Sequence, residues 1–132
     1  MSEKEILKIL KETKKKALAL YSKFHVSALL VTKDGKKFTG INIESSSYGL
    51  TICAERVALF KALSEGHRKF DKIYIMSDFS KPCPPCGACR QVLMDYAPDI
   101  NVIMYSNAGD KKEMMLKELI PLAFHGQDLN KM

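Results

Sequence analysis

No apolar run in this 132-residue chain approaches the roughly 20 residues that a membrane-spanning helix needs. The opening residues, Met1-Ser2-Glu3-Lys4-Glu5, are charged, and no signal-peptide core follows them. A cytoplasmic location with no membrane partner is therefore expected. Arg-rich stretches and aromatics interleaved with basic residues are also missing. The net charge of +6 comes from lysines in short groups, at 14 to 16, 36 and 37, and 111 and 112, set among acidic residues. That distribution reads as solvated surface, so no nucleic-acid partner is expected. No repeat, low-complexity tract or linker divides the chain, and residues 1–132 are expected to form one domain with a core of its own. Cysteines are few but clustered: three of the four fall between Cys83 and Cys89. Without a secretion signal, that clustering suggests metal or redox chemistry in a reducing compartment before it suggests a disulfide framework.

The apolar pattern gives an order of elements. Ser2-x-x-Glu5 resembles a capping box, and Ile6, Ile9, Leu10, Ala17 and Leu20 recur at helical spacing, which predicts a first helix ending near Tyr21. Val26 to Thr32 and Lys37 to Ile43, joined through Asp34-Gly35, read as a β-hairpin. A second helix is expected from about Cys53 to Leu63, stopping at Gly66, with Val57, Leu59, Phe60 and Leu63 toward a sheet. Lys72 to Ser77 reads as a buried strand, and a Pro-rich loop leads to a third helix beginning at Cys86. Asn101 to Tyr105 and Lys112 to Met115 follow as strands, and Leu116 to Leu119 as a last helical turn. Helices alternating with strands after a hairpin imply an α/β layered domain whose later strands pair in parallel.

This placement brings Cys53-Ala54-Glu55 and Pro85-Cys86-Gly87-Ala88-Cys89 to the starts of two helices. Helix N-termini carry partial positive charge and free N–H groups, which favour thiolates. Cys86 and Cys89, three apart on a helix, share a face and can chelate together. Three protein ligands leave a zinc ion one open position for water, whereas four close the site. Cys53, Cys86 and Cys89 make three, and Cys83 would make a closed, structural fourth. Water on such an ion is nucleophilic at neutral pH, and Glu55, a carboxylate outside the ligand set, can shuttle its protons. Three thiolates on one Zn²⁺ leave a negative charge, and Arg56 is placed in sequence to hydrogen-bond to them and damp it.

The chain resembles the small, homotetrameric cytidine deaminases over nearly its whole length. The residues that carry the likeness are Tyr21-Ser22-Lys23-Phe24, Gly40-Ile41-Asn42-Ile43-Glu44, Cys53-Ala54-Glu55-Arg56, Pro85-Cys86-Gly87-Ala88-Cys89-Arg90-Gln91, and Leu119-Ile120-Pro121 with Phe124. The resemblance implies a three-layer α/β domain with a mixed five-stranded sheet flanked by helices, and one Zn²⁺ per chain. It implies hydrolytic deamination of cytidine and deoxycytidine in pyrimidine salvage, with Glu55 moving protons from water to ring N3 and to the departing amine. Asn42 and Glu44 would bind the ribose hydroxyls. Phe24 and, from a neighbouring subunit, Phe124 would pack around the pyrimidine, and Tyr48 would contact a neighbouring site. Main-chain groups of Ala54 and of the loop around Pro84 would read the base edge. A carboxylate at the sugar suits a free nucleoside and repels a phosphate. Ser27 and Leu122 stand where the family commonly has glycine.

Other functions fit parts of the pattern. Cys86-Gly87-Ala88-Cys89 at a helix start could be a thioredoxin-like redox pair, in which Cys53-Ala54-Glu55 would have no task. A non-catalytic zinc domain that binds RNA has only the basic charge behind it. Another cytosine-bearing nucleoside or an antibiotic is the nearest alternative substrate. His25, His67 and His125 have no ligand spacing with the cysteines and read as structural or surface residues.

Overall fold

The computed structural model describes residues 1–131; the last residue of the expected domain, Met132, lies outside them. The elements are α1 (Glu3–Lys14), β1 (Val26–Thr32), β2 (Lys37–Ile41), α2 (Ala54–Ser64), β3 (Phe70–Ser77), α3 (Gly87–Tyr96), β4 (Asn101–Tyr105), β5 (Lys111–Met115) and α4 (Leu116–Leu119), with short 3₁₀ segments at Tyr48–Leu50 and Gly126–Lys131. One mixed five-stranded sheet runs in the order β2-β1-β3-β4-β5. Only β3 and β4 are parallel; β1 is antiparallel to both β2 and β3, and β5 is antiparallel to β4. The expected parallel pairing of the later strands is therefore corrected for β5. Its link to β4 is a tight turn with Gly109 at φ 94, too short for the crossover that parallel strands require.

Helices cover both sides of the sheet, so its central strands are apolar on both faces instead of alternating. Leu29, Tyr74, Met76, Ile103 and Tyr105 face α1, where Ile6 and Leu10 meet them. Ala28, Leu30, Ile73, Ile75, Val102 and Met104 face α2 and α3. Ser2 Oγ accepts from Glu5 N at 3.2 Å and starts α1. This helix ends at Lys14 and not near Tyr21, because Leu18 leaves helical geometry to form a bridge with Ile43. Ser27, buried on β1, donates its hydroxyl to Leu10 O at 2.8 Å and ties α1 to the sheet.

The buried side of α2 also differs from expectation. Ala54, Ala58, Leu59 and Ala62 face the sheet, while Phe60 is 42% exposed. The cause is Gly40 on β2: a Cβ there would stand 2.2 Å from Ala54 O and 2.7 Å from Ala58 N. Strand and helix backbones meet so closely there that only alanines fit against Gly40, while Leu59 is buried beside them and Phe60 falls on the outer side of the helix.

A candidate zinc site

The site lies beyond the carboxyl ends of the parallel pair, where open α/β sheets commonly bind ligands. Cys53 is the N-cap of α2 and Cys86 the N-cap of α3, and neither uses its side chain to cap the helix. Cys89 follows in the first turn of α3 and is fully buried. The three sulfurs lie within 4.8 Å of one another. Cys53 and Cys86 are 3.7 Å apart, and Cys86 and Cys89 are 3.6 Å apart. Cysteines on one tetrahedral zinc, with Zn–S bonds of about 2.3 Å, hold their sulfurs about 3.8 Å from each other. The donor set and its spacing fit that ion. Cys83 stands outside the group, its thiol 3.7 Å from Pro84 O.

Cys53 and Cys89 differ in how readily they ionise. A hydrogen bond from Cys89, helped by Arg56 and Cys86 against the effect of burial, pulls Cys53 down to about 5. Cys89, the donor in that bond and deeply buried, is pushed up. Arg56 donates from Nη2 to Cys53 Sγ at 3.5 Å, and this contact raises its own pKa. Its Nε is buried without a hydrogen-bond partner among the described residues. Glu55 is 4% exposed, and burial, then the Cys53 charge, pushes its carboxyl up to about 7.

A cavity of about 290 Å³ opens beside the sulfurs, at the small end of the range for small-molecule sites. Phe24, Asn42, Glu44, Cys53, Ala54, Glu55 and Cys86 all line it, as do Cys83 and Pro84. Asn42 and Glu44 have a second task. Asn42 Nδ2 donates to Phe24 O at 2.8 Å and its Oδ1 accepts from Val26 N at 3.0 Å. Glu44 Oε1 accepts from Tyr21 N and Ser22 N, both at 2.9 Å, and Oε2 accepts from Ser22 Oγ. The Ser22 hydrogen bonds hold the Glu44 carboxyl below its ordinary value. Tyr48 and Phe124 do not line this cavity. Tyr48 is 75% exposed in an adjoining hollow, its ring 6.0 Å from that of Tyr21. Phe124 is half exposed beyond α3, where Gln91 Nε2 donates to its carbonyl at 2.9 Å.

Several contributors carry no role in the sequence reading. Ser22, Val26, Thr51, Ile75 and Ser77 complete the cavity wall. Ser22 belongs to the Tyr21-Ser22-Lys23-Phe24 motif, which was the available signal; the others are ordinary strand or loop residues until the fold assembles them. Arg90 donates to Pro85 O and to Leu119 O, each at 2.7 Å, and pins the loop before Cys86 to α4. The helix start expected at Cys86 shifts by one residue, because Cys86 holds the N-cap and Gly87 opens α3. His25 bonds to Asp78 and His67 lies edge-on against Phe38.

Three cysteine sulfurs converging from two helix starts, beside a buried carboxylate in a small cavity, define a zinc enzyme of the hydrolytic deaminase class. The comparisons agree. Residues 1–106 match the cytidine and deoxycytidylate deaminase zinc-binding region. The chain is similar to a cytidine deaminase of Halalkalibacterium halodurans, 45% identical over 98% of this chain and 99% of the relative. It is 34% identical to a blasticidin-S deaminase of Bacillus cereus over 89% of this chain and 91% of the relative. The crystal structure of cytidine deaminase from Burkholderia pseudomallei superimposes with a TM-score of 0.90 at 42% identity, covering 94% of this chain and 100% of that one. This chain belongs to the cytidine and deoxycytidylate deaminase family.

Proposed function

We propose that the protein converts cytidine and deoxycytidine to uridine and deoxyuridine by hydrolysis, releasing ammonia, and that Glu55 moves the protons. The observation that carries the reading is a nine-tenths-buried Glu55 sharing a small cavity with three convergent sulfurs. Cys53, Cys86 and Cys89 hold one zinc as thiolates. When bound, zinc supplies Lewis acidity that makes water nucleophilic at neutral pH. Burial pushes the Glu55 carboxyl above the ordinary carboxylate range, which suits a group that accepts a proton from water and delivers it to ring N3. The water oxygen bonds to C4, and Glu55 then takes the remaining proton of that new hydroxyl and delivers it to the C4 amine, so that the C4–N bond breaks and ammonia leaves. Arg56 hydrogen-bonds to the thiolates and damps their donation to the metal.

Phe24 packs on the pyrimidine, Ala54 offers main-chain groups to the base edge, and Asn42 and Glu44 turn their remaining lone pairs and protons to the ribose. A carboxylate at the sugar disfavours a phosphorylated or chain-linked substrate, so the reading is of a free nucleoside in pyrimidine salvage, in the cytoplasm. No helix among the described residues is long and apolar enough to cross a membrane. A homotetramer with composite sites accounts for the apolar groups left on the surface. Tyr48, Leu50 and Phe124 are at least half exposed, and Ile43, Ile52, Val57 and Phe60 leave an open apolar groove beside the cavity.

Zinc-quantified protein should release ammonia from cytidine and deoxycytidine, and far more slowly from cytidine oligonucleotides. Zinc-loaded protein that leaves both nucleosides intact, or that prefers blasticidin S to them, overturns the substrate assignment. Full activity in a species that sediments as a monomer removes the composite site.

A further inference from the structure

Asp78, the first residue after β3, lies outside the cavity and yet grips one of its walls. Its Oδ2 accepts from His25 N at 2.7 Å and meets His25 Nδ1 at 2.7 Å. In return, Asp78 N donates to His25 O at 3.1 Å. Its Oδ1 pairs with Lys14 Nζ at 2.9 Å, and Lys14, the last residue of α1, also donates to Asn107 Oδ1. That lysine side chain is only 11% exposed, so the carboxylate has a well-fixed counter-ion. Burial pushes the Asp78 carboxyl up, but the His25 N–H and the Lys14 and His25 side chains outweigh it and hold it at about 2. Asp78 is therefore held as a carboxylate at neutral pH.

His25 stands between Phe24 and Val26, two residues of the cavity wall. Both flanking peptide groups are bonded to Asn42: Phe24 O accepts from it and Val26 N donates to it. Segment 24–26 is thus fastened from the cavity side by Asn42 and from the outer side by Asp78. If the outer fastening is lost, the two groups that orient the Asn42 amide move together with the Phe24 ring. A misplacement on the ångström scale is enough to cost a binding or reacting group much of its effect.

We propose that Asp78 is a positioning residue for nucleoside binding, acting through His25 on Phe24 and Asn42, with Lys14 as its anchor. The proposal rests on the assignment of Phe24 and Asn42 as substrate contacts. Because Asp78 touches neither the substrate nor the sulfurs, its removal should weaken ground-state and transition-state binding alike.

The test is steady-state kinetics with cytidine on zinc-loaded parent, Asp78→Ala, Asp78→Asn and Lys111→Ala proteins, each with its zinc content measured. Lys111→Ala breaks an ion pair of 3.1 Å with Glu3, between groups that do not line the cavity, and controls for general loosening. Asp78→Ala should raise KM about tenfold, with kcat within about threefold and zinc still at one per chain. Asp78→Asn keeps a carbonyl for His25 N and should show a smaller rise; Lys111→Ala should keep the parent KM. Parent-like KM in Asp78→Ala overturns the proposal, as does a fall in kcat that tracks zinc loss. If Asp78→Ala does not fold, the Asp78→Asn variant decides: a raised KM at full zinc supports the proposal and an unchanged one overturns it. Combining Asp78→Ala with Asn42→Ala should cost less than the product of the single effects, and a full product would overturn the route through Asn42. A raised KM in Asp78→Ala with none in Asn42→Ala would refute the substrate contact assigned to Asn42 and, with it, this route. A parent that ignores cytidine would refute the proposed substrate and leave the positioning role to fall with it.

Discussion

On one face of the sheet α1 covers Leu29, Tyr74, Met76, Ile103 and Tyr105 through Ile6 and Leu10, and the ion pair of Glu3 with Lys111 lies at its border. On the other, α2 and α3 cover Ala28, Leu30, Ile73, Ile75, Val102 and Met104, and their first turns also carry Cys53, Glu55, Cys86 and Cys89. The α1 face uses large aliphatic side chains against the sheet, and none of these apolar contacts lines the cavity. The α2 face uses alanines pressed onto Gly40, so the contacts that hold the helix also set where the sulfurs and the carboxylate stand. Stability and chemistry are separable on the first face and joined on the second.

The largest effect should come from Glu55→Gln, which breaks the joint on the second face by removing chemistry and sparing packing. Glutamine keeps size and hydrogen bonding but cannot take up or return a proton. One general acid–base group is worth about 10²–10⁴-fold in rate, and kcat for cytidine should fall at least that far. Zinc content should stay at one per chain. The melting temperature should not fall, since burial already disfavours the charged carboxylate. A variant that is folded, zinc-loaded and within tenfold of the parent would refute the role given to Glu55.

Leu10→Ala tests the first face. Leu10 is fully buried, and truncating such a leucine costs about 2–5 kcal/mol of stability. Denaturant unfolding should register that loss, whereas KM and zinc affinity measured well below the transition should match the parent. A changed zinc affinity would show that the two faces are coupled through the sheet.

Gly40→Ala should cost less stability than Leu10→Ala and yet damage the site. A Cβ at 2.2 Å from Ala54 O forces β2 and α2 apart, and overpacking of this kind costs about 1–3 kcal/mol. Because Ala54 lies between Cys53 and Glu55, the displacement is delivered to the ligands. Zinc affinity and kcat should fall together with stability, and full activity in this variant would mean that α2 can move without its first turn.

Much of this contrast was legible in the chain. Local signals placed β1, β4 and α4 at the bounds observed, and the two Cys-bearing motifs at helix starts, because strand runs, turns and N-caps depend on neighbours in sequence. Three features needed the fold. Residues 15 to 20 continue a helical apolar rhythm, but Leu18 bonds instead to a strand end 25 residues away. The outward turn of Phe60 follows from Gly40, a partner on another element. The resemblance implies sugar contacts for Asn42 and Glu44, but their hold on segment 21–26 is visible only once that loop is folded over them.

The smallest effect probes the seam between the faces, where Asp78 joins Lys14 of α1 to His25 behind the cavity wall. Burial raises the Asp78 carboxyl, but its hydrogen bonds and the Lys14 charge win and leave it at about 2, below the ordinary 3.8. An acid whose folded-state value lies below its unfolded value adds stability above the unfolded value and loses it as pH falls through the folded one. The contribution is therefore fully present above about pH 4, given an unfolded aspartate near 3.9, and fades toward pH 2. The Asp78 side chain is 35% exposed, so solvent screens the pair and the gain is held to about 0.2–1 kcal/mol. Asp78→Asn should unfold more easily than the parent by that amount at pH 7, with the gap closing between about pH 4 and pH 2. Salt should narrow the gap at pH 7 as well, because screening acts on the charge and leaves the neutral amide's hydrogen bonds untouched. A gap that stays constant down to pH 2 would assign the loss to the shape of the carboxylate's hydrogen bonds, and the seam would then be a matter of packing and not of charge.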